Sequence, residues 1–466
     1  MRLFSDTTKA LSALGSQPAA FWQSQGEFQA LQTFHEAAER VPAYKHFLKK
    51  HNVDHSRIHT IQDFQSFVPI TTKDSYIRQY SLSELSWDGQ LASGSIISYS
   101  SGTSGAPSMW ARFVEQEEHS VLLHDIMLRG LYDIHEKKTL MVVCFSFGIH
   151  IAGMITAQSI AGMLSKQYPF SMVTPGKNLE DVVAIVQQLH PQYEQIIFFG
   201  HPGFIKQVVD ELSRHGFDWS AHSIRLILSG GGFFEEWRSY MLAAIGETNP
   251  VSVIGLYGCT DMGFLAHETP ASIAYKKQHS DTVDSFVFQY IPGFRFIETV
   301  RDELVFTANA GMPTIRYNIH DRGSVIEWSQ ECDSSARMWR LPFVHLYGRQ
   351  GTVVLNGANI YSENIQKILE HPVLLSGVTG RFVHEVVYND TYNEEFVIHI
   401  EMKQGMRISE NAVQRVQHHF FSALQTMNAE YADCVRALGM KMAPVVRFYE
   451  HGHHVFDRST VAKKRL

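Results

Sequence analysis

The sequence predicts an α/β protein with a large N-terminal α/β domain, residues 1–348, and a small C-terminal α+β domain, residues 349–466. Between residues 115 and 260, strand-like runs such as TLMVVCFSF, QIIFFGHP and IRLILSGGG alternate with helical runs such as LEDVVAIVQQL. Beyond Gly348 and Arg349 the pattern changes to shorter strands and helices. Because alternating strands and helices favour a mainly parallel sheet, ligand sites are expected at the strand ends.

The remaining elements follow from local patterns. The spacing over residues 26–50 is helical and is broken at Pro42. TIQDFQSF predicts a short helix that a proline ends, and a second, capped helix is expected to begin near Thr71. SIISYSS predicts a strand, and DELVFTA and GSVIEW predict short strands within residues 285–350. In the small domain, EVVYND, EFVIHIEM and VVRFYE predict strands, and residues 408–427 predict a helix.

Composition excludes several classes of protein. The 466 residues are 44% hydrophobic with a formal net charge of -7, which argues against a nucleic-acid binder. No apolar run of about 18 residues suggests a membrane span, and the N-terminus lacks the apolar run of a signal peptide. The 4 cysteines form no CxxC pair, so a cytoplasmic protein with reduced thiols is expected. A monomer or a homodimer is expected. The histidine-rich EHGHHVF segment lacks the spacing of a metal site and predicts a solvated turn.

The segment SYSSGTSGAP, which starts at Ser98, is dense in hydroxyl groups and glycine. Glycine permits close approach of the backbone, so N–H groups and hydroxyls in such a loop converge on phosphate oxygens. The GK[ST] ending of a Walker A loop is missing. A phosphate-binding loop and a flexible linker therefore both remain open from these residues alone.

Two further loops carry nucleotide-binding chemistry. In LYGCTDMG, Tyr257 can stack on a base, Thr260 can donate to a phosphate, and Asp261 can bind Mg²⁺, which prefers oxygen ligands. The alternative is an ordinary turn. In TIRYNIHDRG, the Asp321 carboxylate can accept hydrogen bonds from both hydroxyls of a ribose. The alternative for Asp321 is an ion pair with a neighbouring arginine, Arg316 or Arg322.

Taken in order, these segments resemble the adenylate-forming superfamily of acyl- and aryl-CoA ligases, adenylation domains and luciferases. The resemblance is to its phenylacetate–CoA ligase-like branch and spans nearly the whole chain. SSGTSGAP is similar to the phosphate loop of that branch, YGCTD to its YGxTE-type motif and RYNIHD to its RYRTxD segment. GRQGTVVLNGANIYSENI is similar to its hinge region, about which the small domain of the family rotates.

The resemblance implies roles for individual residues. The residues implied to cradle the β- and γ-phosphates are Ser100, Ser101, Gly102, Thr103, Ser104 and Gly105. Those implied to leave room for adenine and to stack on it are Gly230, Gly231, Gly232, Tyr257 and Gly258. Those implied to act at the α-phosphate, at Mg²⁺ and at the ribose are Thr260, Asp261, Asp321 and Arg349.

The same resemblance implies an acceptor site, an acyl pocket and a catalytic lysine. Gly357 would let a pantetheine arm approach. Phe145, Phe147 and His150 would line the acyl pocket, with plain core packing as the alternative. The terminal segment DRSTVAKKRL places the catalytic lysine at Lys463, and Lys464 is the alternative one residue further on.

The sequence departs from the family pattern at several of these motifs. Ala106 stands where the phosphate loop usually carries a lysine, and Asp261 where the second motif usually has a glutamate. The hinge aspartate is replaced by Gln350 or Gly351. Because of these departures, a nucleotide-binding protein without turnover remains an alternative to an enzyme.

The resemblance implies a two-step reaction. A small, aromatic carboxylic acid attacks ATP, with Mg²⁺, to give an acyl-adenylate and pyrophosphate, and a thiol then displaces AMP. Coenzyme A is the expected acceptor. Transfer to the phosphopantetheine thiol of an acyl carrier protein, or to an amine, is the alternative that the sequence does not distinguish.

Overall fold

The computed structural model describes residues 4, 6–91, 95–100, 108–148, 151–279, 286–309, 311–328, 339–349, 351–371, 374, 377–457 and 464–465. The chain begins with a helical layer, α1 (Thr7–Ser16), α2 (Ala19–Arg40), α3 (Pro42–Lys50) and α4 (Ile61–Phe67). Pro42 occupies the first turn of α3, where the missing N–H costs no hydrogen bond.

The prediction of a helix that begins near Thr71 is wrong. Thr71 instead forms a bridge to Tyr317, and its backbone N–H donates to the Arg316 carbonyl at 3.0 Å. Its hydroxyl donates to the Ile315 carbonyl at 2.8 Å. The capping pattern at Thr71 does not start a helix, because the backbone and hydroxyl groups of Thr71 form long-range hydrogen bonds instead. Two 3-10 turns, Ile77–Gln79 and Trp87–Gly89, follow instead of a helix.

The middle of the chain alternates strands and helices. A hairpin of β1 (Ile96–Ser100) and β2 (Ser108–Arg112) comes first. The strands that follow are β3 (Thr139–Val143), β4 (Phe170–Val173), β5 (Gln195–Gly200), β6 (Ser223–Ser229), β7 (Val253–Cys259), β8 (Gly263–His267), β9 (Phe286–Gln289), β10 (Phe296–Val300), β11 (Glu303–Ala308), β12 (Thr314–Ile326) and β13 (Phe343–Arg349). The helices among them are α5 (Val114–Tyr132), α6 (Ile151–Gly162), α7 (Leu179–Leu189), α8 (Pro202–Arg214), α9 (Glu235–Ala244) and α10 (Pro270–His279).

These strands form one mixed sheet with the order β10-β11-β12-β13-β9-β8-β7-β6-β5-β3-β4. From β4 to β7 the neighbouring strands are parallel, and from β7 to β10 they are antiparallel. The predicted α/β class is therefore confirmed, with a parallel half in the alternating region and an antiparallel half after it. The first four residues of GSVIEW, expected as a short strand, form the end of the 13-residue strand β12.

The C-terminal part combines short sheets with helices. It contains β14 (Thr352–Leu355), β15 (Ala358–Tyr361), α11 (Ser362–Leu369), β16 (Val378–Tyr388), β17 (Glu394–Met402), α12 (Glu410–Met427), α13 (Ala429–Leu438), β18 (Val445–Tyr449) and β19 (Lys464–Arg465). Strands β18, β17, β16 and β19 form one sheet in that order. Helix α13 was not predicted; it begins directly after α12 because the Asn428 side chain accepts from the Tyr431 N–H and caps a new helix.

One hydrophobic core continues from the large sheet into the C-terminal part. It contains Phe198 and Leu226 from the sheet, Phe204 from α8, and Leu355 and Phe396 from the C-terminal strands. Helix α8 is buried on most sides because the sheet covers one face and the C-terminal part the other. No helix in the described ranges is long and apolar enough to cross a bilayer.

Candidate active site

A cavity of about 790 Å³ lies at the carboxyl ends of the parallel strands. Phe145 follows β3, His201 follows β5, Gly230 follows β6 and Thr260 follows β7, and all four line it. Parallel strands end at one edge of a sheet, so the loops after them meet there although they are far apart in sequence.

A carboxylate held from two sides lies in this cavity. Asp321 on β12 is directly opposite Arg349 on β13 in the antiparallel register. Arg349 Nε donates to Asp321 Oδ1 at 2.9 Å, and Arg349 Nη2 lies 2.8 Å from the same oxygen. The Tyr257 hydroxyl donates to the other oxygen at 2.6 Å. The sequence offered Arg316 or Arg322 as ion-pair partners, but Arg316 pairs with Glu298 instead.

The electrostatics of this cluster keep its groups in fixed charge states. Asp321 raises the pKa of the Arg349 guanidinium by Coulombic attraction, so the arginine is charged. Burial, with Asp321 next to it, raises the pKa of Tyr257 well above its usual value, so the phenol keeps its proton. The Tyr257 ring stacks on Phe288 with a centroid separation of 5.7 Å. A carboxylate has about four acceptor sites, so Asp321 can still accept from a ligand.

A second charged cluster contains Asp261, Lys73 and Ser100. The Tyr317 hydroxyl donates to Asp261 Oδ2 at 2.8 Å, and Lys73 Nζ lies 3.7 Å from the same oxygen. Lys73 Nζ also donates to Ser100 Oγ at 3.3 Å. A cation, a hydroxyl and a carboxylate therefore meet at the end of β1, directly before the Ser/Gly segment in the sequence.

Glycines let the backbone approach closely around His201. A β-carbon added at Gly230 or at Gly357 would lie 2.5 Å from the His201 ring. The His201 ring therefore lies between two loops, and its Nδ1 is 2.8 Å from the Ser229 carbonyl. Gly230 has φ +72 and Gly357 φ +89, conformations that favour glycine.

The loop carrying Gly357 is a two-residue hairpin turn between β14 and β15. Asn356 and Gly357 both have positive φ, which is the type I′ geometry that Asn-Gly sequences prefer. The Asn356 N–H donates to Glu394 at 2.7 Å, and Lys177 Nζ donates to the Asn356 carbonyl at 2.9 Å. These bonds hold the turn against the cavity wall.

The predicted site residues fall into three groups. Those that line the cavity are Ser100, Phe145, Gly230, Gly231, Gly232, Tyr257, Gly258, Thr260, Asp261, Asp321, Arg349 and Gly357. Phe147 is not among the lining residues and is 39% exposed. Those that lie outside the described residues are Ser101, Gly102, Thr103, Ser104, Gly105, His150 and Lys463. Only the backbone of Lys464 is described, opposite Val387 in the β16–β19 pairing.

Sequence reasoning missed many polar side chains that line the cavity, among them Lys73, His124, Lys177 and His201. Lys73 follows the Thr71 bridge, so its position depends on a contact with β12 that no local pattern shows. His201 offered a usable signal, because it directly follows the strand-like run QIIFFG. His124 sits in an ordinary helical pattern and gave none.

The Cys259 thiol also lines the cavity. Burial is the main cause that raises its pKa to about 12. The thiol is therefore protonated near neutral pH and is a poor nucleophile. In the described part of the chain, no group of three or more histidine, cysteine or carboxylate side chains could hold a metal ion.

Comparison with solved structures identifies the fold. The chain superposes on a 2-hydroxyisobutyryl-CoA ligase complexed with 2-HIB-AMP and CoA in the thioesterification state, with a TM-score of 0.66 and 15% identity, covering 97% of this chain and 92% of that one. For the same ligase in the postadenylation state with R3-HIB-AMP, the TM-score is 0.59 at 15% identity, covering 97% and 91%. The open conformation of that ligase gives 0.57 at 15% identity, covering 96% and 93%.

The chain thus shares its fold with this CoA ligase over nearly its whole length, as expected from the resemblance of its motifs. No protein-family model and no curated protein matched the sequence. The identity of 15% is low enough that the likeness establishes the fold alone.

Proposed function

We propose that this chain activates a small aromatic carboxylic acid with ATP and transfers the acyl group to coenzyme A. A carboxylate is a poor acyl donor because its leaving group would be oxide, and adenylation replaces that group with AMP. The enzyme must then neutralise phosphate charge and keep water from the adenylate.

The observation that supports this proposal is the meeting of two charged clusters in one cavity. Asp321, held by Arg349 and Tyr257, is an acceptor for ribose hydroxyls. Lys73 and Ser100 lie at the start of the phosphate loop next to Asp261. We propose that Lys73 supplies the positive charge that Ala106 cannot, which removes one of the departures that favoured an inactive protein.

The residues present fit a nucleotide-bound Mg²⁺. Magnesium is commonly bound by one or two carboxylates together with substrate phosphate oxygens and water. Asp261 is 4% exposed and lines the cavity with an oxygen, Oδ1, that no described hydrogen bond uses. When bound there, Mg²⁺ would neutralise charge on the phosphates.

Coenzyme A is the proposed acceptor because the Gly357 turn closes against the cavity from the small-domain side. Because it has no side chain, Gly357 packs directly on the His201 ring and adds no bulk to the cavity that a thin pantetheine chain would enter. The ligase with the TM-score of 0.66 was solved with CoA in its thioesterification state, which supports the same acceptor. We further propose that residues 349–466 form a separate small domain and that Lys463 acts in the first step only.

An aromatic acid is proposed because the cavity wall contains Phe145, Phe199 and Phe264. Phe145 follows β3, Phe199 is on β5 and Phe264 is on β8, so the rings come from separate strands of the sheet. Aromatic rings packed at an angle or offset gain free energy beyond that of area burial.

The test is pyrophosphate release with ATP and Mg²⁺ across benzoates, phenylacetates and small aliphatic acids, including 2-hydroxyisobutyrate. Without coenzyme A we expect about one equivalent of pyrophosphate per enzyme, because the adenylate stays bound. With coenzyme A we expect continued turnover and a thioester. The control variant is Asp88→Asn, because Asp88 forms an exposed ion pair with Arg40 away from the cavity lining. Tyr347→Phe is not a suitable control because Tyr347 lines the cavity.

Each other outcome has a distinct meaning. If a carrier protein or an amine accelerates pyrophosphate release and coenzyme A does not, the acceptor is not coenzyme A. The adenylation step of the proposal would then still stand. AMP binding without pyrophosphate release for any acid would favour a nucleotide-binding protein without turnover.

A further inference from the structure

His124 on α5 is a buried polar side chain in the cavity wall. It is 2% exposed and lines the cavity. Its Nδ1 lies 2.8 Å from the Ser120 carbonyl one turn earlier in the helix. A carbonyl oxygen only accepts, so Nδ1 carries the hydrogen of this bond, and in the neutral ring Nε2 is then an acceptor.

The ring is neutral near physiological pH. Burial lowers the pKa of His124 to about 4, and the hydrogen bond to Ser120 only partly opposes this. Its other ring contact is with Phe264, edge to face at a centroid separation of 4.9 Å. Within the described ranges no donor reaches Nε2, so its lone pair is left for a molecule in the cavity.

The surroundings of His124 are suited to an acyl group. Ser120 Oγ and Ser159 Oγ lie 2.9 Å apart and join α5 to α6, and one turn before Ser159, Ile155 and Thr156 line the cavity. Ile155 also approaches Gly263, where an added β-carbon would lie 3.4 Å from it. A ligand that covers this acceptor without supplying a donor leaves it unsatisfied, which is unfavourable, so a ligand that supplies the donor is selected over one that does not.

We propose that the acid activated by this chain carries a hydroxyl group, and that this hydroxyl donates to His124 Nε2. This inference rests on the proposed function, because it assigns the substrate class of the same cavity. A hydroxyl fits better than an ammonium, because it needs no counter-charge and the described hydrogen-bond and ring contacts of His124, with Ser120 and Phe264, include no carboxylate. His124 is thus a specificity-determining residue.

The first experiment compares acids that differ by one hydroxyl: benzoate with the three hydroxybenzoates, phenylacetate with the three hydroxyphenylacetates, and propionate with lactate. Pyrophosphate release gives kcat/KM for each. We expect the best hydroxylated acid to exceed its parent by about 10- to 100-fold. His124→Phe should bring that ratio close to one, whatever its effect on kcat/KM for the parent acid. His124→Gln, whose amide oxygen is an acceptor, should keep part of the ratio.

His267 provides a matched control. It is also buried, its Nδ1 lies 2.8 Å from the Glu268 carbonyl, and its ring also packs on Phe264, at 5.9 Å. It does not line the cavity. Any fold disturbance in His267→Phe should change both acids of a pair equally, so the ratio should stay as in the wild type.

The second experiment reads binding without turnover. Histidine labelled with ¹⁵N gives a resonance for Nε2 of His124, assigned by its loss in His124→Phe. We expect the preferred hydroxylated acid to shift this resonance and its parent acid to leave it unchanged.

The outcomes separate this inference from the proposed function. If pyrophosphate is released equally from both acids of every pair, or if His124→Phe keeps the ratio, the hydroxyl assignment is overturned and the ligase reaction stands. A preference for amino-substituted acids also overturns it. If hydroxylated acids shift Nε2 but release no pyrophosphate, the pocket assignment stands and the ligase reaction fails. If neither response occurs, both are overturned.

Discussion

Asp321 accepts from Tyr257 on one carboxylate oxygen and from Arg349 on the other, so its position is fixed before any ligand binds. A pre-positioned acceptor loses little conformational freedom on binding, which makes its hydrogen bonds to a ligand more favourable. The proposed ribose contact can therefore be tested at one residue.

Asp321→Ala should weaken AMP binding by about 10- to 100-fold, because charge-assisted hydrogen bonds contribute about 1.5–3 kcal/mol each and about 1.4 kcal/mol is a factor of ten. Calorimetric titration of the folded variant measures this. Asp88→Ala is the control, since the Asp88–Arg40 pair is exposed and contributes little. Unchanged AMP affinity in the Asp321 variant would remove this residue from the nucleotide site.

Asp261 offers a separate prediction for the metal. Asp261→Asn keeps the size of the side chain and an oxygen that can accept from Tyr317, but removes the charge that faces Lys73. Pyrophosphate release should fall by about 100-fold, as expected for a lost electrostatic contact to a developing charge. AMP binding should change little, because AMP brings no triphosphate to neutralise. Equal losses in both measurements would make Asp261 a structural residue.

At the scale of elements, the Asn356-Gly357 turn between β14 and β15 decides how closely the C-terminal part approaches the cavity. Its type I′ geometry points Gly357 at the His201 ring, and the bond from the Asn356 N–H to Glu394 fixes it to β17. The turn is thus a rigid part of the cavity wall.

Gly357→Ala should slow thioester formation more than adenylate formation, because its β-carbon would lie 2.5 Å from His201 and displace the turn. The two half-reactions are measured separately, the second with supplied acyl-adenylate and coenzyme A. Gly380→Ala is a close control: Gly380 has φ +90, against +89 for Gly357, and nothing lies within 4 Å of an added β-carbon. Equal effects of the two variants would mean that backbone strain, not the contact with His201, is responsible.

At the scale of the whole molecule, the C-terminal part is docked through side-chain contacts as well as through the shared core. The Tyr388 hydroxyl donates to the Gly232 carbonyl at 3.0 Å, and Lys441 Nζ donates to Gln207 on α8 at 2.8 Å. Gly232 lines the cavity, so this docking reaches the proposed nucleotide site. An enzyme that used its terminal lysine in only one step would need to exchange this docking for another.

Lys463→Ala should therefore nearly abolish adenylate formation from acid and ATP but still convert supplied acyl-adenylate into thioester. A lysine at the α-phosphate neutralises charge that grows as the acid and ATP meet, and that charge has left with pyrophosphate by the second step. Assays of the separate half-reactions test this. Loss in Lys464→Ala alone would move the role by one residue, and full activity in both variants would exclude a C-terminal lysine from the reaction.

The fold class and most of the cavity edge follow from the sequence alone. Loops such as SGGG after β6 and YGCTD at the end of β7 could be assigned because parallel strands bring their carboxyl ends to one edge whatever lies between them. Asp321 was found in the same way, from a carboxylate in a strand-like segment. The local chemistry of each loop was sufficient because topology supplied the convergence.

Which side chains complete these loops depends on long-range contacts that the sequence does not show. Lys73 reaches Asp261 because Thr71 bonds to β12, a contact across 244 positions that replaced the expected helix. Arg349 was named from its motif, but its pairing with Asp321 follows from the β12–β13 register. His124 has an ordinary place in a helix, and it lines the cavity because of how α5 packs against α6 and β8. Helical and strand patterns indicate which face of an element is buried, but not which distant element covers it. The positions of Lys73, Arg349 and His124 depend on which distant element packs against their own.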